Sequence, residues 1–158
     1  MIDIVNDTGY DVNEARLQEA ARIVLARHEG DSESDLTIAF TDDESIADLN
    51  YQYRGVDAPT DVLSFPMESM PSENNYLGDL VIAYPYASAQ AQREGHALDD
   101  SLALLVVHGT LHLLGYDHDT PEHRADMWAA QELALLALGI SPEIVPALEN
   151  RDFDDAQG

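Results

Sequence analysis

The stretch from Leu98 to Leu114 constrains this chain more than any other. Its apolar residues do not keep to one face, because Leu102-Ala103-Leu104-Leu105-Val106-Val107 covers every side of a helix. A helix that is apolar all round has to be buried. The remaining elements must therefore be arranged around it. The same helix then carries His108 and His112, and Gly115 ends it. At a spacing of four, both imidazoles project from one helix face. Gly115 permits a reversal that swings His118 back toward them. The chemistry of the chain is thus attached to its core.

The other elements follow from periodicity and punctuation. Met1–Asn6 alternates apolar and polar residues and reads as a strand, with a turn at Asn6–Gly9. Val12–His28 reads as an amphipathic helix closed by Gly30. Leu36–Phe40 is a second strand. Thr41-Asp42-Asp43-Glu44 forms a capping box for a helix through about Tyr53, stopped by Gly55. Asp61–Phe65 and Leu77–Ala83 are further strands, separated by the polar Pro66–Asn75 stretch, which reads as a mobile loop and a candidate lid. Pro85 and Gly95 bracket a short helix, Tyr86–Glu94. Thr120 caps a last long helix that has Pro121 in its first turn and runs to about Leu138. Ser141-Pro142-Glu143 can open one more turn.

Four strands and four or five helices in mixed order predict a layered α+β or α/β domain. The first two strands flank a helix, which suits a parallel, right-handed βαβ unit. The third and fourth, joined by a loop alone, suggest an antiparallel pair. At 158 residues and 45% hydrophobic composition, one domain with its own core is expected. We place it at residues 1–148, with an acidic, disordered tail at 149–158.

Composition excludes several chemistries. There is no cysteine, so disulfides, thiolate zinc sites, iron–sulfur clusters and cysteine nucleophiles are ruled out. The longest apolar run, Leu102–Val107, is far too short to span a membrane, and the first residues show no signal-peptide pattern. The expected location is cytoplasmic. Acidic residues number 31 against 7 basic ones, for a formal charge of −24. All the basic residues are arginines: Arg16, Arg22, Arg27, Arg54, Arg93, Arg124 and Arg151. A chain this acidic repels nucleic acid at long range and favours basic partners or divalent cations.

Three neutral imidazoles with an open fourth position make a catalytic zinc arrangement. Water on such a metal ionises near neutral pH. Hydrogen-bonded core histidines would also fit His108 and His112 alone. Adding Gly115 and His118 at these offsets favours a metal. The spacing is that of the metzincin zinc motif, except that Gly109 stands where those peptidases carry their glutamate base. That departure argues against a peptidase. Glycine inside a helix costs about 0.8–1 kcal/mol relative to alanine, which points to close packing or to space needed beside a metal. His28 fits a helix C-terminus, where its charge complements the dipole. His96 belongs to an exposed turn and His123 to the surface. Asp117 suits either a carboxylate orienting a metal-bound imidazole or a turn. Tyr116 reads as packing.

The stretch His108–His118 resembles the H-G-x-L-H-L-x-G-Y-D-H signature of the YbeY family. These are small bacterial metal-dependent endoribonucleases, also described as ribosomal-RNA maturation factors. Leu49–Pro66 is similar to the family's LNxxYRGxxxPTDVLSFP block, and Leu77–Ile82 to its LGDIxI strand. The three segments are in family order.

The resemblance implies an α+β fold: helices around a mixed sheet of about four strands, and a buried central helix carrying two metal-binding histidines. It implies one divalent metal ion, zinc foremost, on His108, His112 and His118. It implies hydrolysis of single-stranded RNA, at the small-subunit ribosomal RNA 3′ end and in ribosome quality control. Catalysis would fall to Arg54 and His112, with Arg54 also binding substrate. Expected partners are the RNA precursor, the small ribosomal subunit with its basic proteins, and a ribosome-associated GTPase.

Arg54 suits this role chemically, since a guanidinium holds a phosphate bidentately and stabilises charge developing on its oxygens. It equally complements a helix C-terminus. A different reading makes the chain a ribosome-assembly adaptor, with a structural metal and an acidic face that docks basic proteins. The two are compatible, because a basic partner could deliver an otherwise repelled RNA.

Overall fold

A computed structural model describes residues 1–28, 30, 32–67 and 75–144. In chain order the elements are β1 (Ile2–Val5), α1 (Glu14–Ala26), β2 (Asp35–Thr41), α2 (Asp43–Arg54), β3 (Val62–Pro66) and β4 (Tyr76–Ala83). They continue with α3 (Tyr84–Glu94), α4 (Leu98–Leu113), α5 (Pro121–Ala137) and a final 3-10 turn, Pro142–Ile144. The fold is α+β with a mixed four-stranded sheet in the order β1-β2-β4-β3. β1 and β2 pair in parallel, as do β2 and β4, while β3 runs antiparallel to β4. Both pairings expected from the connections are present.

The alternation of β2 explains the layers. Leu36, Ile38 and Phe40 are buried and join Leu80 and Ile82 of β4 in the main core, together with Leu17, Ala21 and Val24 of α1. The opposite face of the sheet packs a smaller cluster, Ile46 of α2 with Leu63 and Ala83. α4 lies at the centre: Leu102 through Leu111 are buried without a break, and the helix contacts α1, α3, α5, β3 and β4. An all-round apolar helix has become the axis of the domain, as its composition requires.

Several boundaries differ from the sequence reading. Thr41 does not cap α2, because it still pairs with Ala83 as the last residue of β2. Asp42 takes over, its carboxylate accepting the Ser45 N–H at 2.7 Å. α1 begins at Glu14 because the Asn13 side chain accepts the Arg16 N–H. Gly55 and Gly95 close α2 and α3 in the left-handed conformation, as read. Thr120 caps α5, also as read. The candidate lid falls mostly on residues 68–74, and the tail on 149–158, both outside the described residues.

One glycine is required by the sheet itself. The β2/β4 register skips Leu77, pairing Asp35 with Tyr76 and Leu36 with Gly78. Gly78 takes φ +143°, and a Cβ there would stand 2.3 Å from the Phe65 carbonyl oxygen. Glycine at such an irregularity lets two backbones approach. Because the obstacle is backbone, it cannot swing aside. We expect Gly78→Ala to destabilise the protein by about 3 kcal/mol or more, from strain and overpacking together. Urea unfolding of wild type and variant checks this, and a loss below about 1 kcal/mol would contradict it.

Candidate metal centre

His108 and His112 sit on the last two turns of α4, facing the same way. Their Nε2 atoms are 3.1 Å apart. Gly115, at φ +103°, reverses the chain after the helix. The reversal brings His118 to within 5.0 Å of His112 and 5.8 Å of His108, between ring centroids. One ligand nitrogen from each of the three rings lies within 4.8 Å of the other two. The three candidate ligands are therefore brought together.

Proton positions follow from the partners. The Nδ1 of His112 is 3.0 Å from the Tyr116 carbonyl oxygen. A carbonyl only accepts, so this nitrogen carries the proton. The Nδ1 of His108 is 3.0 Å from the Gln131 Oε1, which requires a proton there too. Both Nε2 lone pairs are then directed at one another. A hydrogen bond between them would need a second proton on one ring. Burial opposes it: the His108 pKa lies well below its usual value through desolvation and the neighbouring His112. That of His112 is lowered to about 4, first by burial and then by His118. The arrangement that satisfies both nitrogens is a cation between them. Tetrahedral zinc with bonds of about 2.0–2.1 Å holds its nitrogens about 3.3 Å apart. The donor set fits a divalent metal.

Two supporting partners went unread in the sequence. Gln131 is fully buried on the inner stripe of α5, beside Met127, Ala134 and Leu135. A lone amide in an apolar stripe was the available signal. Trp128, three residues earlier, lies against His108 and His118, with centroids at 5.8 and 6.1 Å. Neither residue belongs to the histidine signature, yet both shape the site.

Gly109 owes its identity to packing. A Cβ there would meet a Leu80 methyl at 2.7 Å and the Ser64 hydroxyl at 3.3 Å. The space is taken by β4 and β3, so of the two explanations considered, close packing holds. Asp117 is exposed and its carboxylate accepts the His118 N–H at 2.8 Å. That is the turn role, and His112 is oriented by the Tyr116 carbonyl instead. His123 is exposed, as expected, and pairs with Asp119 at 2.6 Å, which raises its pKa. His96, expected to be exposed, is half-buried, its N–H bonded to the Ala91 carbonyl behind Gly95. His28 does more than complement a helix end, since its ring bridges Val24 and Tyr116.

The site opens onto a cleft of about 600 Å³. Arg54 from the end of α2 lines it, with Asp61 just before β3, Ser64 and Pro66 on β3, and the three histidines. The guanidinium is close enough to His112 to disfavour a proton on that ring. Its Nη1 also lies 3.4 Å from Asn50 Oδ1, and Asn50 in turn holds the Ala58 carbonyl at 2.9 Å. Arg54 thus occupies the helix C-terminus and the cleft at once. Asp61, overlooked in the sequence, is a buried carboxylate on the cleft wall that accepts the Val62 N–H at 2.7 Å.

The buried histidines fix a pH dependence for the metal-free protein. Between the ordinary value near 6.5 and about 4, an unfolded chain binds a proton that folded His112 refuses. The unfolded state then holds more protons, so stability falls as pH falls through that window. The slope is about 1.4 kcal/mol per pH unit for each such histidine. Urea unfolding at pH 7.5, 6 and 5 should show this loss in wild type, with a flatter profile in His112→Asn. Parallel profiles would contradict it.

Among the described residues, no helix is long and apolar enough to cross a membrane. Comparison with known proteins adds a family, two relatives and a solved structure. Residues 3–139 match the family described as Endoribonuclease YbeY. A protein named Endoribonuclease YbeY from Moorella thermoacetica is 43% identical over 143 residues, covering 83% of this chain and 92% of its own length. Its namesake from Rhodococcus jostii is 39% identical, covering 85% and 79%. A solution structure of a Thermotoga maritima protein superposes with a TM-score of 0.55 at 25% identity, covering 85% of this chain and 89% of that one.

Proposed function

Since the chain belongs to the YbeY endoribonuclease family, we propose that it hydrolyses single-stranded RNA in the maturation of ribosomal RNA. We assign the metal to His108, His112 and His118, and the substrate phosphate to Arg54. The observation that carries this reading is the paired Nε2 atoms of His108 and His112, set beside Arg54 on an open cleft. A divalent ion bound there supplies Lewis acidity toward the phosphoryl oxygen and lowers the pKa of water. The chain's own residues do the rest. Gln131 and the Tyr116 carbonyl hold the two α4 imidazoles in the tautomer that presents Nε2. Arg54 places a positive charge where a phosphate entering the cleft develops negative charge. In a chain of charge −24 this local cation matters more than the bulk field, because screening confines exposed charges to about 8 Å at physiological salt.

Zinc is our choice of metal, on the grounds that three imidazoles without carboxylate suit it. The small-subunit 3′ end is the proposed target, with basic ribosomal proteins and a ribosome-associated GTPase as partners in the cytoplasm. The adaptor alternative is not favoured. A structural metal would have a fourth protein ligand, and the candidate ligand group holds three histidines facing a cleft.

The test is cleavage of a labelled single-stranded fragment of the small-subunit RNA 3′ end, before and after chelation and with added zinc. Loss on chelation and recovery with metal are expected, with a duplex of the same sequence resisting. Metal-bound protein that leaves the single strand intact would overturn the proposal.

A further inference from the structure

A hydrogen-bonded chain connects the end of α1 to the metal ligands. The His28 Nδ1 lies 2.7 Å from the Val24 carbonyl oxygen, so it carries the proton. The neutral ring then offers Nε2 only as an acceptor. The Tyr116 hydroxyl, 2.8 Å away, donates to it. The rings meet edge to face at 5.4 Å and 85°.

Tyr116 is held at two other points. Its N–H donates to the Leu111 carbonyl at 3.0 Å. Its own carbonyl accepts from His112 Nδ1 at 3.0 Å. One residue therefore contacts His28, just past the end of α1, through its hydroxyl, α4 through its amide and a candidate ligand through its carbonyl. It also lies two positions before His118, in the segment that left-handed Gly115 turns back. Helix-dipole complementation explains the Val24 contact of His28 but leaves its second nitrogen unexplained. That nitrogen has a committed partner in the ligand loop.

We propose that His28 and Tyr116 form a brace that positions His112 and His118 for metal binding, with His28 acting as a positioning residue. The proposal rests on the metal reading above. A groove of about 390 Å³, lined by Val24, Arg27, His28, Leu111 and Tyr116 among others, adjoins the pair. Water from the groove can replace a lost bond, so the brace adjusts affinity without deciding whether the domain folds. Partners that orient metal ligands typically contribute 10–100-fold to affinity. The brace acts one bond further out, and about 10-fold is expected.

The experiment measures zinc affinity by chelator competition, and the visible spectrum of the cobalt-substituted protein. Wild type is compared with Tyr116→Phe, His28→Leu, the double variant and His28→Gln. Each single variant should raise the zinc Kd about 10-fold and shift the cobalt bands. The double variant should be no worse than either single one, because both break the same bond. Glutamine can accept from Tyr116 and donate to Val24, so His28→Gln should recover most of the affinity. Unfolding of each metal-free variant checks that the fold is intact. Unchanged Kd and unchanged cobalt spectra in the single variants would reduce the contact to packing and overturn the brace. Additive losses in the double variant would also overturn it. Wild-type protein that takes up no metal would instead overturn the metal reading itself.

Discussion

His112→Ala should abolish metal retention and RNA cleavage together. His112 stands in the middle of the proposed ligand set: it faces His108 at 3.1 Å between Nε2 atoms and His118 at 5.0 Å between centroids. Removing it leaves two donors, one of them on a loop. Losing a partner that only orients a ligand costs 10–100-fold in affinity. Losing the ligand should cost more than about 100-fold, enough to empty the site at micromolar metal. Cleavage should fall to background. Metal content by elemental analysis and cleavage of labelled single-stranded RNA are measured on the same preparation. The fold should survive, because alanine suits a helix and removes the conflict between the two lone pairs. A variant that retains stoichiometric metal, or that cuts without it, would contradict the assignment.

Arg54→Ala should separate binding of metal from use of it. The guanidinium lines the cleft but contributes no ligand atom. The variant should keep its metal and its stability, since Arg54 is exposed at the end of α2. Its cleavage rate should fall by about 10²–10³, the loss seen when one preorganised donor to developing charge is removed. Arg54→Lys should recover only part, because an ammonium cannot grip two phosphate oxygens in one plane. Single-turnover kinetics at saturating RNA measures the step concerned. A rate within threefold of wild type would return Arg54 to helix termination alone.

What could be read from the sequence was what depends on neighbours along the chain. The central helix declared itself because an apolar run covering all its sides has no solvated face to offer. The three histidines did so because helix periodicity and one glycine reversal fix their relative directions. Thr120, Gly55 and Gly95 act on amides and carbonyls a few residues away, and each sits where it was placed. The Asp42 cap was missed by one residue because sheet pairing carried Thr41 onward, which no local pattern records. Gln131, Trp128 and Asp61 reach the site from other elements, so only packing reveals them. Gln131 at least left a trace, as a polar side chain on an apolar stripe. His28 left none, since its value lies in the hydroxyl of a tyrosine far along the chain.

The facing imidazoles also bear on how long the protein lasts in a cell. A folded chain that must aim two lone pairs at each other is a poor resting state, and an ion that binds only the folded form stabilises it by mass action. At a hundred times the dissociation constant, that amounts to about 2.7 kcal/mol. The same margin is lost when the ion is scarce, and a change of 1–2 kcal/mol can alter steady-state abundance several-fold through proteolysis. Metal starvation should therefore be visible first as faster turnover of the polypeptide. The cell would then hold fewer copies, and those that remain would be the loaded ones.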